Sequence, residues 1–170
     1  MAAPYKKTVI KTHPKISEKV TSDTLYWKNL EFPITKKESG AVSHVEFSPV
    51  KPYHYAVTSS AKVTIYNSRT NEVIRTISRF RDTAYCGSFR SDGRLLVAGG
   101  DEGVIRLFDT NTKSLLRVFK GHTGPVHVCK FTRDNLHIVS GSDDKSVRIY
   151  DVPTESEVAC FREHQVIVSD

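Results

Sequence analysis

Short apolar stretches alternate with turn-forming residues along most of the chain, and apolar and polar positions alternate within them, as in half-buried β-strands. The pattern is periodic, because phenylalanine recurs at equal spacing at Phe47, Phe89 and Phe131. Three further sets keep this interval: Val63, Ile105 and Val147; Ile65, Leu107 and Ile149; and Tyr66, Phe108 and Tyr150. A repeat of about 40 to 45 residues made of short strands is typical of a β-propeller blade, and the interval falls in this range. The sequence therefore predicts three blades.

Each copy of the repeat contains four predicted strands. Ser91-Asp92-Gly93 and Arg133-Asp134-Asn135 stand between the first two strands of their copies, where a tight reversal needs residues that tolerate turn geometry. The predicted strands are 42–47, 55–58, 62–67 and 72–78; 84–89, 95–98, 104–109 and 115–119; and 126–131, 137–140, 146–151 and 157–161. No segment has convincing helical periodicity, so the predicted fold class is all-β.

Recurring dipeptides connect these copies with a known family. The copies resemble WD repeats, with Gly121-His122 as the Gly-His element and Phe108-Asp109 and Tyr150-Asp151 where that family places Trp-Asp. The resemblance covers about residues 40 to 165. It implies a WD-repeat β-propeller that is incomplete, because about three four-stranded blades are present and closed rings usually contain four to eight.

The repeat divides the chain into five segments: a basic N-terminal arm (1–39), three WD-like blades (40–80, 81–120 and 121–164) and a truncated tail (165–170). Within the arm, residues 32–37 are interpreted as an outer strand donated to another blade. The last residue, Asp170, corresponds to Val128, so the chain is expected to end early in the first strand of a fourth blade.

The resemblance to WD repeats also implies a buried polar set that links the strands of a blade through hydrogen bonds. The third copy matches this set with His122, Ser140 and Asp144, while Tyr150 replaces the family's tryptophan. The corresponding residues of the second copy are Phe80, Ala98, Glu102 and Phe108. The polar set is therefore absent from the second copy, and packing is expected to hold that blade together.

Two patterns that could suggest catalysis are assigned to structure instead. His122, Ser140 and Asp144 are the residue types of a catalytic triad, but they fall at structural positions of a repeat and no nucleophile elbow accompanies them. Ala98-Gly99-Gly100 with Gly103 loosely resembles a phosphate loop, yet no helix follows it, so these are interpreted as turn residues. The chain is predicted to be neither an enzyme nor a binder of a cofactor or small-molecule substrate.

Composition supports a packed protein without a membrane or metal signal. Hydrophobic residues make up 38% and charged residues 26% of the chain, and no apolar run approaches the roughly 20 residues of a membrane span. The three cysteines, Cys86, Cys129 and Cys160, have no metal-binding spacing and lie among strand residues, so buried free thiols are expected.

The net charge of +6 favours anionic partners. The arm holds eight lysines and four acidic residues, and arginines recur in the blades. The candidate contacts for RNA or a protein partner are Lys6, Lys7, Lys11, Arg79, Arg81, Arg94, Arg106 and Arg148. A solvated or ion-paired surface is the other interpretation of these cations.

Two strings are more specific than the repeats themselves. Residues 23–27 (DTLYW) and 81–86 (RDTAYC) are similar to a nucleolar group of WD-repeat proteins, the subunits of the small-subunit processome. This resemblance implies a non-catalytic scaffold that supports pre-rRNA transcription and processing, with other processome proteins, the U3 snoRNP and pre-rRNA as partners. The alternative is a WD-repeat peptide-binding adaptor, such as a ubiquitin-ligase substrate receptor, although residues 1–39 contain no recognisable adaptor-binding motif.

Overall fold

A computed structural model describes residues 21–22, 35–162, 166 and 168. The chain divides into two compact units, Met1–Lys37 and Glu38–Asp170. Of the predicted outer strand 32–37, the first three residues lie outside the described part, and residues 35–37 are not in strand conformation.

The second unit begins with a four-stranded antiparallel sheet. Its strands are β1 (Val42–Phe47), β2 (Tyr55–Ser59), β3 (Lys62–Tyr66) and β4 (Val73–Ile77), paired in chain order. Each strand hydrogen-bonds to the next one along the chain, so the sheet is a simple meander of the kind that forms a propeller blade.

The next sheet repeats this arrangement. It consists of β5 (Ala84–Phe89), β6 (Leu95–Gly100), β7 (Ile105–Asp109) and β8 (Leu115–Phe119), again in chain order. β6 continues two residues beyond its predicted end at Ala98, because the Gly99 and Gly100 positions still pair with neighbouring strands. The interpretation of these two glycines as turn residues was therefore wrong.

The last sheet contains β9 (Val126–Phe131), β10 (His137–Ser142), β11 (Val147–Asp151) and β12 (Glu157–Phe161). Three four-stranded antiparallel sheets in the described residues confirm the predicted all-β class and the incomplete propeller. We refer to the sheets as blades 1, 2 and 3.

Equivalent turns close the outer hairpin of each blade. The side chains of Asn67, Asp109 and Asp151 accept hydrogen bonds from backbone N–H groups two or three residues later. Lys113 and Glu155, which are one repeat interval apart, both take positive φ angles of 59° in these turns. The aspartate of each aromatic-Asp pair therefore caps a tight turn, which explains why it recurs with the repeat.

The hydrophobic core lies between neighbouring blades. One cluster joins blade 1 to blade 2 through residues such as Val63, Ile65 and Phe89, and another joins blade 2 to blade 3 through residues such as Ile105 and Val126. Burial between blades makes each blade depend on its neighbours, as in other repeat arrays.

The cysteines differ from the expectation in one case. Cys86 and Cys129 are buried, and their Sγ atoms lie 2.8 Å apart between blades 2 and 3. Burial and the neighbouring Cys86 thiol raise the pKa of Cys129, which keeps it protonated. Cys160 is half-buried instead of buried, because it lies on β12, the outer edge strand of its sheet.

The close fit between successive blades depends on two glycines. An ideal Cβ on Gly99 would lie 2.7 Å from Cγ1 of Val126, and one on Gly141 would lie 2.6 Å from Cγ1 of Val168. Both pairs are related by the repeat interval. Val168 therefore packs on blade 3 as Val126 packs on blade 2, and any larger side chain at either glycine would meet a branched side chain.

Candidate functional site

The residues of the predicted polar set meet in blade 3. The loop before β9 carries His122, β10 carries Ser140, and the turn between β10 and β11 carries Asp144. Nδ1 of His122 lies 3.0 Å from Oδ2 of Asp144, and Nε2 lies 2.7 Å from Oγ of Ser140. The imidazole thus connects the entry loop of the blade with β10 and with the turn that follows it.

Three further groups complete this network, and the sequence reasoning missed them. Ser146 donates its hydroxyl proton to Oδ1 of Asp144 at 2.5 Å, and the backbone N–H of Thr123 donates to Oδ2 at 3.1 Å. Nε of Arg148 donates to Oγ of Ser146 at 3.3 Å. Ser146 and Arg148 lie two and four residues after Asp144. Their position just after the turn could have identified them as members of the network.

Burial seals the network from solvent. The His122 side chain has no exposed surface, and Ser140 is 1% exposed. Burial lowers the pKa of His122 despite the opposing effect of Asp144, so the ring is neutral at physiological pH. Burial opposes ionisation of Asp144, but hydrogen bonds from Ser146, His122 and the backbone together hold its pKa well below the usual range. The order of groups resembles a catalytic triad, but the Ser140 side chain is closed off from solvent in this arrangement.

Tyr150 differs from the other predicted members. Its ring packs edge-on against His122, with ring centroids 6.4 Å apart, but its buried hydroxyl has no hydrogen-bond partner in the described part of the chain. Tyr150 therefore contributes packing and no hydrogen bond to the set.

The equivalent place in blade 2 is mostly aromatic. Phe80 and Phe108 pack with ring centroids 5.7 Å apart, and the Arg106 guanidinium lies 5.5 Å from the Phe80 ring centroid. Nη2 of Arg106 donates to Glu102 at 2.7 Å, and the backbone N–H of Arg81 donates to the same carboxylate at 2.8 Å. Packing was predicted to hold this blade, but an ion pair and a cation–π contact add to it.

Blade 1 uses a third chemistry at this place. Glu38 lies one repeat interval before Phe80, and its carboxylate accepts hydrogen bonds from the hydroxyl groups of Tyr66 and Ser59 and pairs with Lys62 at 3.2 Å. These contacts, led by the one with Tyr66, lower the pKa of Glu38. The repeat interval pointed to this position, but the residue types in the other two blades did not suggest a carboxylate.

The candidate partner contacts separate into distinct groups. Arg79 and Arg81 are exposed in the connection before β5, whereas Arg94 is exposed in the connection after it. A six-residue strand is about 20 Å long, so these arginines lie at opposite ends of the sheet and do not form one cluster.

Two other predicted contacts are engaged within the blades. Arg148 is 6% exposed and pairs with Glu157 at 2.5 Å, and the Arg106 side chain is 12% exposed and pairs with Glu102. Both guanidinium groups thus match the ion-paired interpretation of these cations, and their role as partner contacts stays a prediction. The predicted contacts in the arm, Lys6, Lys7 and Lys11, lie outside the described residues.

Comparison with known proteins defines the class. The family described as "WD domain, G-beta repeat" matches residues 71–109 and 113–151. Solved structures described as "Crystal structure of RRP9 WD40 repeats" and "Structure of U3-55K" each match with a TM-score of 0.73 and 20% identity, over 78% of this chain and 42% of theirs. The protein thus has the fold of an incomplete β-propeller, and two segments of it match the WD-repeat family.

Several similar curated proteins share one name, "U3 small nucleolar RNA-associated protein 15 homolog". The rat and human proteins are 56% identical to this chain over 106 residues, and the zebrafish protein is 57% identical over 106 residues. These matches cover 62% of this chain and 20% of each relative. The chain therefore matches about a fifth of the length of these relatives. Among the described residues, no helix is long and apolar enough to cross a membrane.

Proposed function

We propose that the protein is a non-catalytic scaffold subunit of the nucleolar small-subunit processome, where it supports pre-rRNA transcription and processing. The observation that carries this proposal is the identity of 56% to proteins named for their association with U3 small nucleolar RNA. The burial of the Ser140 hydroxyl supports a role in binding over catalysis, because the triad-like group is closed off from solvent. Other processome proteins, the U3 snoRNP and pre-rRNA are the proposed partners, and the nucleolus is the proposed location.

In this proposal the polar sets give the scaffold its rigidity. His122, Ser140 and Asp144 fix the entry loop of blade 3 to its second strand and to the turn after it, and Tyr150 packs beside them. Loops held by such contacts keep a constant spacing, which a binding surface distributed over several loops requires.

The exposed cations supply the charge for anionic partners. Positive charge lies at one end of the blades on Arg79 and Arg81, and at the other end on Arg94. The arm adds the charge of Lys6, Lys7 and Lys11. Contacts of this kind to phosphates weaken as salt rises, because binding releases counterions.

The test is affinity purification of the tagged chain from nucleolar extract, with proteins and RNA identified together. We expect processome subunits and pre-rRNA, and we expect Arg79→Ala/Arg81→Ala to reduce the recovered RNA more than Arg106→Lys does. Arg106→Lys is the matched control because it keeps the charge at a residue that is already paired. Recovery of chaperones without processome subunits would refute the scaffold proposal.

The alternative function, a ubiquitin-ligase substrate receptor, predicts a different result in the same experiment. Clustered arginines recognise phosphorylated peptides through bidentate hydrogen bonds. Arg79 and Arg81 lie two residues apart in one exposed connection and could form such a pair. Recovery of ubiquitin-ligase subunits, with phosphopeptide binding that is lost in Arg79→Ala, would favour this function over the scaffold.

A further inference from the structure

A groove of about 500 Å³ lies at the end of the blades where β1, β5 and β9 finish. Its walls come from all three blades and include Phe47 of blade 1, Ser91 of blade 2 and Lys130, Arg133 and Asn135 of blade 3. The backbone N–H of Ser91 donates to Oδ1 of Asn135 at 3.2 Å, which ties together the loops of blades 2 and 3 that border the groove. The groove is therefore a continuous feature of the blade end.

Two cations in this groove are available to a ligand. Lys130 and Arg133 are exposed, and neither makes an ion pair with any residue that the structure describes. The acidic residues of the adjoining loops are occupied: Asp92 pairs with Arg90, and Asp134 accepts a hydrogen bond from the Leu136 N–H and contacts His137 at 3.0 Å. Lys130 and Arg133 are therefore the cations at these loops that can meet an anion.

One carboxylate lines the groove, but its oxygens are engaged in contacts within the protein. Oε1 of Glu46 accepts hydrogen bonds from Oγ of Ser88 at 2.9 Å and from the N–H of Phe89 at 3.1 Å, and Oε2 lies 3.4 Å from His44. Burial opposes ionisation of Glu46, but these contacts together lower its pKa. Glu46 thus links blade 1 to blade 2 and makes no ion pair with Lys130 or Arg133.

Aromatic rings complete the groove. Phe47 is 63% exposed, and Phe131 in the same groove is half-buried. Cations that follow a backbone, together with aromatic rings on which bases stack, are the combination by which proteins bind single-stranded nucleic acid. An acidic peptide would use the cations but would gain little from the exposed ring.

We propose that this groove binds a single-stranded RNA segment, with phosphates at Lys130 and Arg133 and a base stacked on Phe47. The inference rests on the proposed function for the presence of RNA. It names a groove whose lining contains none of the candidate arginines. The groove lies at the blade end that carries Arg94, so Arg94 is positioned to extend the path of the RNA, whereas Arg79 and Arg81 lie at the other end.

The test measures binding of a fluorescent 12-nucleotide oligouridine to the purified 170-residue chain over a range of salt concentrations. We expect Lys130→Ala/Arg133→Ala to weaken binding about tenfold at 100 mM salt and to reduce the log–log salt slope by about 1.4, since each lost single-strand phosphate contact contributes about 0.7. Phe47→Leu should weaken binding about fivefold or more through lost stacking, with an unchanged salt slope.

Two controls separate position from total charge. Lys130→Arg/Arg133→Lys keeps both charges and should bind nearly as well as the parent chain. Lys120→Ala/Lys145→Ala removes the same charge from exposed residues at the other end of the blades and should have less than a twofold effect. Equal losses in the two alanine pairs would overturn the proposal, and so would tighter binding of an acidic peptide than of the oligouridine.

The outcome for this groove is distinguishable from that for the scaffold function. If the chain recovers processome subunits but does not bind oligouridine, the groove proposal fails and the scaffold proposal stands. If oligouridine binding depends on Lys130 and Arg133 but no processome subunits are recovered, the groove proposal stands and the scaffold proposal fails.

Discussion

Blades 2 and 3 place different residues at the same positions of the repeat. Blade 3 fills the space between its entry loop and its strands with His122 and Ser140 in a sealed hydrogen-bonded network, whereas blade 2 fills it with Phe80 under the Arg106 guanidinium. In both blades a carboxylate on the second turn accepts a hydrogen bond from the backbone N–H that follows the His122 or Phe80 position. The backbone link is common to both blades, and the chemistry around it differs.

This difference predicts how the stability of each blade responds to the loss of one side chain. A buried polar network is stabilising when every member has a partner, and it becomes costly when one member is lost. Aromatic packing with a partly exposed ion pair fails more gradually, because water can replace the lost contacts. Blade 3 should therefore respond strongly to single substitutions and blade 2 weakly.

The largest expected effect comes from removing the carboxylate in each blade. Asp144→Ala leaves Ser146, His122 and the Thr123 N–H without their acceptor in a site that is 8% exposed, so we expect a loss of about 3 kcal/mol in the free energy of unfolding. The matched variant Glu102→Ala should lose about 1 kcal/mol. Urea denaturation followed by far-UV circular dichroism measures both losses in the free energy of unfolding. Equal losses would remove the contrast between the blades.

A double-mutant cycle on His122 and Ser140 should give the next largest effect. His122→Phe and Ser140→Ala convert these positions to the residues of blade 2, and each single change should cost about 2 kcal/mol because it strands a buried partner. The double variant should cost about 1 kcal/mol less than the sum, since both partners are then absent. Additive losses in the denaturation midpoints would contradict a shared network.

Acid should destabilise blade 3 through His122. Its pKa is lowered in the folded state from the ordinary 6.5, so below about pH 6.5 the unfolded chain binds the proton more readily. The contribution of His122 is present above that pH and is lost as the pH falls towards the folded pKa, with a slope of at most about 1.4 kcal/mol per pH unit. Stability measured from pH 7 to pH 5 should fall less in His122→Phe, and an identical slope would exclude this source.

The smallest expected effect lies in blade 2. Arg106→Lys keeps the charge beside Glu102 but loses the planar group that lies over Phe80, so we expect about 0.5 to 1 kcal/mol. Thermal melting of this variant beside Phe80→Leu measures the stacking contribution, because the two losses should not add. A loss as large as that of Asp144→Ala would mean that blade 2 is as sensitive as blade 3.

The repeat made most of the architecture predictable. Its constant interval placed Phe47, Phe89 and Phe131 at the ends of the first strands of the three blades, and the structure has them there. The alternation of apolar residues also predicted the bounds of β5, β8 and β12 correctly. These features are encoded locally, by strand period and turn residues, so they need no knowledge of neighbouring blades.

The remaining features depend on what surrounds each residue. Arg148 resembles an exposed strand cation in the sequence, but its burial follows from Glu157 on the adjacent strand. Gly99 resembles a turn residue because glycine is usually found there, yet it continues a strand so that Val126 can approach. Glu38 lies at a repeat position without the residue type that the other blades use. In each case, contacts with residues of other strands determine the burial or the conformation of the residue.

The fit of Val126 on Gly99, repeated by Val168 on Gly141, has a consequence for synthesis. The second strand of each blade supplies the surface on which the first strand of the next blade settles, and that surface exists before the next blade has been made. A nascent chain leaving the ribosome can therefore add blades in the order of translation, each one templated by its predecessor. A bulky residue at Gly99 would meet Val126 and so hinder the docking of blade 3 on blade 2.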